Sequence, residues 1–337
     1  MKKSKAVPLI ITFALLAAAA GALWVFLKGY KDTAAQEKTV FAMDTSCSAK
    51  VWGADPKDIC DEITRLGDML DCHSEQSEIS KLNAKGSAKL SDEAADLIRQ
   101  SKKLTGKYPE ADISIGAVTK LWNVTGADPT VPGEDKIKIA LQTCGTDKIK
   151  LSGSSCTLEK GAQLDLGAVA KGYALDIAKQ KLEEKNAECA VISMGSSSLL
   201  YGKKPDGEEF SVAVRDPESE GNLLKFKTGE CFVSTSGGYE RFFETDGKKY
   251  IHIFDIKTGR PAETDLVSVT VICSGGLKSD QLSTSIFIGG TKKLPQYFAD
   301  TSIKIIAVDE QGNIHISRSL EDKITLEKSG HTIIVEK

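Results

Sequence analysis

The stretch Leu164–Asp176, LDLGAVAKGYALD, lies near the middle of the 337-residue chain, and the interpretation of the fold starts from it. Its pattern predicts the end of a short buried strand, a tight turn at Gly167 and Ala168, and then an amphipathic helix. Lys171 falls in the first helical turn, where the helix dipole favours negative charge. An anion such as phosphate, bound by free backbone N–H groups and covered by Lys171, would resolve this mismatch. On the stretch alone, an ordinary strand-to-helix turn with a solvated lysine is the simpler interpretation.

The overall composition is that of a folded protein with little net charge. The chain is 41% hydrophobic and 27% charged, and its formal net charge is -3. This balance gives no reason to expect nucleic acid or an acidic lipid surface as a partner. The length allows one large domain or two closely packed ones.

The N-terminus carries the clearest targeting signal. Three lysines precede an uncharged run over residues 6–27, which is long enough to span a bilayer and longer than the apolar part of most signal peptides. The run therefore predicts an uncleaved transmembrane signal-anchor, although cleavage in its alanine-rich part is the alternative. The predicted order is residues 1–5 in the cytoplasm, 6–27 in the cell membrane, 28–38 as a tether and 39–337 as an extracytoplasmic body.

Eight cysteines are scattered along the chain without a Cys-x-x-Cys pair, so a zinc site is unsupported. Cys144 and Cys156 flank a predicted hairpin and could form a disulfide in an oxidising compartment. Reduced, buried and inert thiols are the alternative, which we favour for most of the eight.

Helical and strand patterns both occur, but they do not alternate regularly. The fold class we predict is therefore α+β rather than a doubly wound sheet. The sequence predicts a pair of strands or one bent strand over residues 39–53, a helix after Pro56, a polar turn-prone segment over 71–83 and a helix capped by Ser91. It further predicts a short strand and a turn over 108–123 and, over 303–337, a hairpin that turns at Asp309–Asn313 and one last strand.

Two further segments carry side chains with chemical potential. Asp280 and Thr284 lie four residues apart on a predicted helix over 277–287, and few hard oxygen ligands suit Mg²⁺. Helix capping and a polar surface are the alternative. His252 lies on a predicted strand, where a lone histidine is more often structural than catalytic. A phosphoryl-transfer site needs an anion-binding backbone, a cation and a metal carboxylate, and these segments together could supply all three. The sequence has neither GxxxxGK[ST] nor GxGxxG, the usual nucleotide-binding loops.

Six short motifs accompany the Leu164–Asp176 stretch. They are Met43-Asp44-Thr45, Ser77-Glu78-Ile79-Ser80 with Asn83, Asp112-Ile113-Ser114-Ile115-Gly116 with Leu121-Trp122, Ser234-Thr235-Ser236-Gly237 with Tyr239, His252 with Lys257-Thr258-Gly259, and Ser279-Asp280-Gln281-Leu282-Ser283-Thr284. In this order, from about residue 40 to 290, they resemble the ApbE family of FAD:protein FMN transferases. The chain departs from the family pattern at several positions, among them Asp44, where Gly is frequent, and Ser196-Ser197, where a Gly-Asn type of turn is usual.

The resemblance implies an ApbE-like, T-fold-like α+β body of mixed sheets with packed helices. It implies Mg²⁺-dependent transfer of FMN from FAD to a Thr or Ser hydroxyl of a target protein, with release of AMP. The implied targets are exported proteins of a redox chain. The implied FAD contacts are Met43, His73, Asp112, Asp165, Lys171 and Ile253, and the implied Mg²⁺ ligands are the Ala168 backbone oxygen and the Asp280 and Thr284 side chains. His252 and Asp280 are the predicted catalytic residues. A Mg²⁺-dependent FAD pyrophosphatase and a non-catalytic flavin-binding protein are the alternatives.

Overall fold

The structure is a computed structural model that describes residues 34–336. The predicted cytoplasmic N-terminus, the transmembrane anchor and most of the tether therefore lie outside the described residues. Within 34–336, no helix combines the length and the apolar character needed to cross a bilayer.

The described chain contains both helices and strands throughout. The strands are β1 Gln36–Ala42, β2 Thr45–Trp52, β3 Ser87–Lys89, β4 Ile149–Ser152, β5 Ser155–Leu158, β6 Cys189–Met194, β7 Ser197–Gly202, β8 Phe210–Arg215, β9 Asn222–Thr228, β10 Cys231–Gly237, β11 Phe242–Thr245, β12 Lys248–Ile251, β13 Phe254–Asp255, β14 Arg260–Pro261, β15 Leu266–Cys273, β16 Ile303–Asp309, β17 Asn313–Ser317, β18 Ile324–Leu326 and β19 Thr332–Glu336. The α-helices are α1 Lys57–Leu70, α2 Glu78–Lys85, α3 Asp92–Thr105, α4 Gly116–Trp122, α5 Glu134–Leu141, α6 Ala170–Glu184, α7 Gly276–Gly289 and α8 Leu294–Phe298, and 3₁₀ turns cover Thr146–Lys148, Thr291–Lys293 and Arg318–Lys323.

A nine-stranded sheet organises the fold. Its order is β1-β2-β6-β7-β10-β15-β16-β17-β19. Neighbouring strands are antiparallel except β17 and β19, which run parallel. The inner strand β15, LVSVTVIC, is buried along almost its whole length, as expected of an apolar run covered on both faces.

Helices cover one face of this sheet, and a small sheet covers the other. On β15, Val271 packs with residues of α7, whereas the next residue, Ile272, packs with Phe226 and Leu224 of the three-stranded sheet β18-β9-β8. Helix α7 lies against β10 and β15 and also against α6. The predicted α+β class is confirmed.

Besides α8, two short helices were not predicted. The segment 71–83 was expected to be polar and turn-prone, but α2 begins within it, since the Ser77 side chain accepts a hydrogen bond from Ser80 N–H and caps the helix. The segment 108–123 was expected to hold a short strand, and that prediction is wrong. It forms α4 instead, and only Ile115 makes an isolated bridge, to Gln163.

The other differences are smaller. His252 lies in the bend after β12 rather than on a strand. The C-terminal hairpin turns at Asp309–Asn313 as predicted, but two strands follow it, and the first, β18, joins the small sheet. The predicted helices after Pro56 and Ser91 are confirmed as α1 and α3. All eight cysteines are free thiols, so the disulfide between Cys144 and Cys156 does not form in this structure.

Candidate active site

The Leu164–Asp176 stretch enters the site between two neighbouring segments. The Asn83 side chain makes hydrogen bonds with both backbone groups of Leu164: it donates to the carbonyl at 2.8 Å and accepts from the N–H at 2.7 Å. The next residue, Asp165, donates its N–H to the Ile113 carbonyl at 2.8 Å. Asp165 therefore lies beside the segment that carries Asp112.

The turn before α6 leaves one backbone carbonyl free. Val169 and Ala170 N–H both donate to Leu166, and Gly172 N–H donates at 2.9 Å to the Asp280 carboxylate instead of to the carbonyl four residues earlier. That carbonyl belongs to Ala168, and it accepts no hydrogen bond from residues 34–336. Helix α6 has no side-chain cap and no acidic residue in its first turn. The geometry thus provides an unused carbonyl and an uncapped helix N-terminus.

Asp280 is a nearly buried carboxylate with only neutral donors. One oxygen accepts from Gly172 N–H, and the other accepts from the Ser197 hydroxyl at 3.2 Å. In the described part of the chain, no cationic side chain lies within 4.0 Å of it. Burial raises the pKa of Asp280, and the positive charge of Lys171 opposes that rise. The carboxylate is therefore costly to keep ionised unless a further cation binds.

Thr284 lies one turn further along α7. Its hydroxyl is 3.1 Å from the Ser236 hydroxyl and 3.4 Å from the Asp280 carbonyl. Paired hydroxyls continue between β10 and α7, where Ser234 meets Ser279 at 2.9 Å. This polar seam fixes the face of α7 that carries Asp280 and Thr284.

Lys171 is the cation of the cluster, and it is uncommitted. It is partly buried and makes no hydrogen bond or ion pair with any residue that the structure describes. Its positive charge opposes the rise in the pKa of Asp280 and adds to the lowering of the pKa of His252. A lysine held near these groups without a carboxylate partner is suited to bind an anion.

His252 is held in one orientation by the backbone. Its Nδ1 lies 3.0 Å from the Arg241 carbonyl oxygen, and its own N–H donates to the same oxygen at 3.2 Å. Because a carbonyl can only accept, Nδ1 carries the ring proton and Nε2 is left as an acceptor. Burial lowers the pKa of His252 to about 4, and the charges of Arg241 and Lys171 act in the same direction. The imidazole is therefore neutral at physiological pH.

The remaining predicted residues surround this cluster. Met43 and Asp44 form the two-residue turn between β1 and β2, both at positive φ (50° and 56°), and Arg241 donates to the Asp44 carbonyl at 3.1 Å. Buried Ile253 follows His252. Burial raises the pKa of Asp112, whose carboxylate accepts from Ser114 N–H at 2.8 Å.

His73 completes the set at the surface. Its side chain is exposed. Burial raises the pKa of the preceding Cys72 thiol to about 12, and the nearby Asp165 carboxylate acts in the same direction. The structure thus places Lys171 near Asp280 and His252, although the sequence separates Lys171 from Asp280 by more than a hundred residues.

Four supporting residues were missed by the sequence reasoning. Gly172 and Ser197 hold the Asp280 carboxylate, and Asp176 caps α7. Gln281 donates to Ser101, Thr105 and Ala111, and so ties α7 to the residue before Asp112. Gly172, Asp176 and Gln281 lie within the motifs quoted above, so the sequence does mark these positions. Their roles were missed because their hydrogen-bond partners are distant in sequence.

The donors present fit a small divalent cation. No group of three or more His, Cys, Asp or Glu side chains suited to a metal occurs in residues 34–336. The available set is instead one carboxylate, one hydroxyl and one free backbone carbonyl, at Asp280, Thr284 and Ala168. Such a small set of hard oxygen ligands, completed by water and phosphate, is the kind that Mg²⁺ uses.

Two cavities border this region from different sides. A cavity of about 460 Å³ is lined by Asp44, Glu240, Arg241 and Phe242, next to the carbonyl that holds His252. A larger cavity of about 830 Å³ lies between α3, α6 and α7. None of the predicted site residues lines either cavity, but the smaller one is lined by Arg241, whose carbonyl oxygen lies 3.0 Å from His252 Nδ1. The smaller cavity is therefore the one that adjoins His252.

A buried carboxylate, an unpaired lysine and a neutral histidine are residue types that phosphoryl-group chemistry uses. The sequence profile of the ApbE family matches residues 43–307. The chain therefore belongs to the ApbE family, and the expectation from its motifs is confirmed.

Similar proteins agree with this assignment. A FAD:protein FMN transferase of Klebsiella pneumoniae is 30% identical over 240 residues, which are 68% of this chain and 74% of that protein. A FAD:protein FMN transferase of Treponema pallidum is 36% identical over 198 residues, but these span only 53% of this chain and 55% of that protein. The crystal structure of the ApbE protein of Thermotoga maritima superimposes with a TM-score of 0.79 at 28% identity, and it covers 85% of this chain and 97% of its own.

Proposed function

We propose that the chain is a Mg²⁺-dependent FAD:protein FMN transferase that modifies a Thr or Ser hydroxyl of exported proteins. In the reaction, the hydroxyl oxygen bonds to the phosphorus of the FMN half of FAD, the bond to the AMP phosphate breaks, and the hydroxyl proton is lost. The observation that carries the proposal is the buried, unpaired Asp280 carboxylate beside the uncommitted Lys171. The relatives are FAD:protein FMN transferases, which supports the same reaction.

The α6–α7 contact would hold the metal and the phosphates. Asp280, Thr284 and the Ala168 carbonyl would be the protein ligands of Mg²⁺, which when bound neutralises the pyrophosphate and makes AMP a better leaving group. The Lys171 ammonium would bind the phosphate oxygens at the start of α6, a helix end that has neither a side-chain cap nor an acidic residue.

His252 would act on the acceptor hydroxyl. Its neutral imidazole presents Nε2 as an acceptor, so it can take the hydrogen bond of a Thr or Ser hydroxyl and orient the oxygen for attack. A neutral ring is less suited to stabilising phosphate charge, which the Lys171 ammonium does better. Met43, His73, Asp112, Asp165 and Ile253 would form the remaining contacts with FAD.

The proposal also covers location. Residues 6–27 would anchor the chain in the cell membrane and place the body on the extracytoplasmic side, where exported flavoproteins of a redox chain are the acceptors. The uncharged run and the lysines that precede it support this part of the proposal.

The test combines full-length protein in detergent, FAD, Mg²⁺ and an exported acceptor protein that carries a candidate Thr. Mass spectrometry of the acceptor should show the addition of one FMN, with AMP released in equal amount. Mg²⁺ removal by EDTA should stop the addition, and restored Mg²⁺ should recover it.

The two alternatives give different products. Free FMN and AMP without a change in acceptor mass would identify a pyrophosphatase and contradict the transferase proposal. Bound FAD that is recovered intact after prolonged incubation would leave only a flavin-binding protein.

A further inference from the structure

Helix α7 begins at two glycines, which provide no side-chain cap for the free N–H groups of its first turn. The cap comes from the neighbouring helix. One carboxylate oxygen of Asp176 on α6 accepts from Gly276 N–H at 2.7 Å, and the other accepts from Leu277 N–H at 2.8 Å. The first turn of α7 is therefore fixed by a side chain of α6.

The two helices exchange this interaction in both directions. Asp280 lies four residues after Gly276 on α7, and it accepts from Gly172 N–H, four residues before Asp176 on α6. Each helix thus places a carboxylate on a glycine amide of the other. Two contacts at this crossing fix both the separation and the rotation of the helices.

The backbones meet closely at the same two glycines. A Cβ atom at Gly172 would lie 2.2 Å from the Gly276 carbonyl oxygen, and a Cβ atom at Gly276 would lie 2.2 Å from the Gly172 carbonyl oxygen. There is no room for adjustment by side chains. A change in the cap of α7 must therefore move the helix itself.

Asp176 lines the larger cavity, together with Tyr173 and Phe232, and none of the proposed Mg²⁺ ligands lines that cavity. Its two hydrogen bonds reach the first turn of α7, so they act on the proposed site through the position of that helix.

We infer that Asp176 is a positioning residue for the proposed Mg²⁺ site. Its two hydrogen bonds set the start of α7, and so they set where the Asp280 carboxylate lies relative to the free Ala168 carbonyl. This inference rests on the proposed function. Partners that orient metal ligands typically change metal affinity by roughly 10- to 100-fold when they are removed.

The test uses full-length Asp176→Ala and Asp176→Asn. Mg²⁺ affinity is measured by calorimetry on the FAD-free protein and, independently, as the Mg²⁺ concentration that gives half-maximal FMN transfer. We expect Asp176→Ala to weaken Mg²⁺ binding by about 10-fold while FAD affinity changes little. The Asn side chain still offers one oxygen to one of the two N–H groups, so Asp176→Asn should restore part of the loss.

Asp265→Asn is the matched control. The Asp265 carboxylate also accepts from a backbone N–H, that of Thr291 at 2.8 Å, and from the Thr291 hydroxyl, but it lies beyond the opposite end of α7. Loss of the hydrogen bonds of Asp176 or of Asp265 should lower the Tm by a few degrees. Only the Asp176 variants should lower the Mg²⁺ affinity. Equal Mg²⁺ affinity in the Asp176 and Asp265 variants would overturn the inference and leave the proposed function intact. Absence of Mg²⁺-dependent transfer in the wild type would overturn both.

Discussion

At the scale of single residues, Asp280 carries a charge that the fold does not need. Its two hydrogen-bond donors are neutral, and burial raises its pKa. A buried carboxylate without a paired cation destabilises a protein, so such a group is retained where it is used. The proposed metal site provides that use, since a bound cation would replace the missing partner.

Asp280→Asn separates the charge from the shape. The amide oxygen can accept from Gly172 N–H, and the amide nitrogen can donate to the Ser197 hydroxyl, so the fold should be kept. We expect FMN transfer to fall by about 100-fold or more, since metal stabilisation of the transition state is worth several kcal/mol. FAD affinity should fall less, and the Tm without Mg²⁺ should be equal or higher. Full activity in Asp280→Asn or Asp280→Ala would refute the metal assignment.

His252 gives a prediction about pH. Its pKa of about 4 in the folded chain lies below that of an unfolded histidine, about 6.5, so the unfolded chain takes up the proton first. The associated stability is therefore complete above pH 6.5 or so and is lost as the pH falls towards 4. For the same reason, kcat/KM for FAD should not decline between about pH 8 and 6 through this group, and its acidic limb should lie near pH 4.

The pH profile has an internal control. His252→Ala should remove the acidic limb along with most of the transfer activity. A wild-type limb near pH 6.5 that disappears in this variant would show that His252 is not neutral in the working enzyme, and would contradict its proposed role as a hydrogen-bond acceptor.

At the scale of elements, the α6–α7 crossing depends on glycine. In Gly172→Ala the new Cβ would lie 2.2 Å from the Gly276 carbonyl, so the helices must separate. We expect a loss of about 1–3 kcal/mol of unfolding free energy, as for other overpacked sites, together with loss of Mg²⁺-dependent transfer. Denaturant titration and the transfer assay measure the two effects.

Gly289→Ala is the comparison for this variant. The residue ends α7, and the three atoms nearest to its Cβ would be Lys293 side-chain carbons, the closest at 3.2 Å, and not backbone. Stability and transfer should be close to wild type. Equal losses in the two variants would show that the crossing has no special role.

The elements also show where sequence patterns succeed and fail. Helices α1 and α3 were predicted because each is 14 residues long, with a regular apolar stripe, and α3 carries the Ser91 cap. Helices α2 and α4 are eight and seven residues long, too short for a periodic signal. Their helical form depends on local capping and on burial against the rest of the fold.

At the scale of the whole molecule, the described body and the N-terminal segment make separate contributions. If residues 6–27 are an anchor, the full-length chain should sediment with membranes, and a chain without residues 1–33 should remain in the soluble fraction with FMN transfer activity. Protease added to intact spheroplasts should digest the full-length body. Membrane association of the truncated chain, or protection of the body, would contradict the proposed topology.

The sequence by itself determined the family, the α+β class and the identity of the candidate ligands, because these are encoded in short motifs whose residue types are fixed by chemistry. Lys171, Asp280 and His252 could be selected in this way. Only the tertiary structure decided how these residues are arranged relative to one another. The Gly172 amide turns from the Ala168 carbonyl to Asp280, and Asp176 caps α7, because two helices separated by about a hundred residues meet at a pair of glycines. A lysine that first indicated an isolated anion site is thereby placed near the carboxylate of another helix, and no local pattern contains that contact.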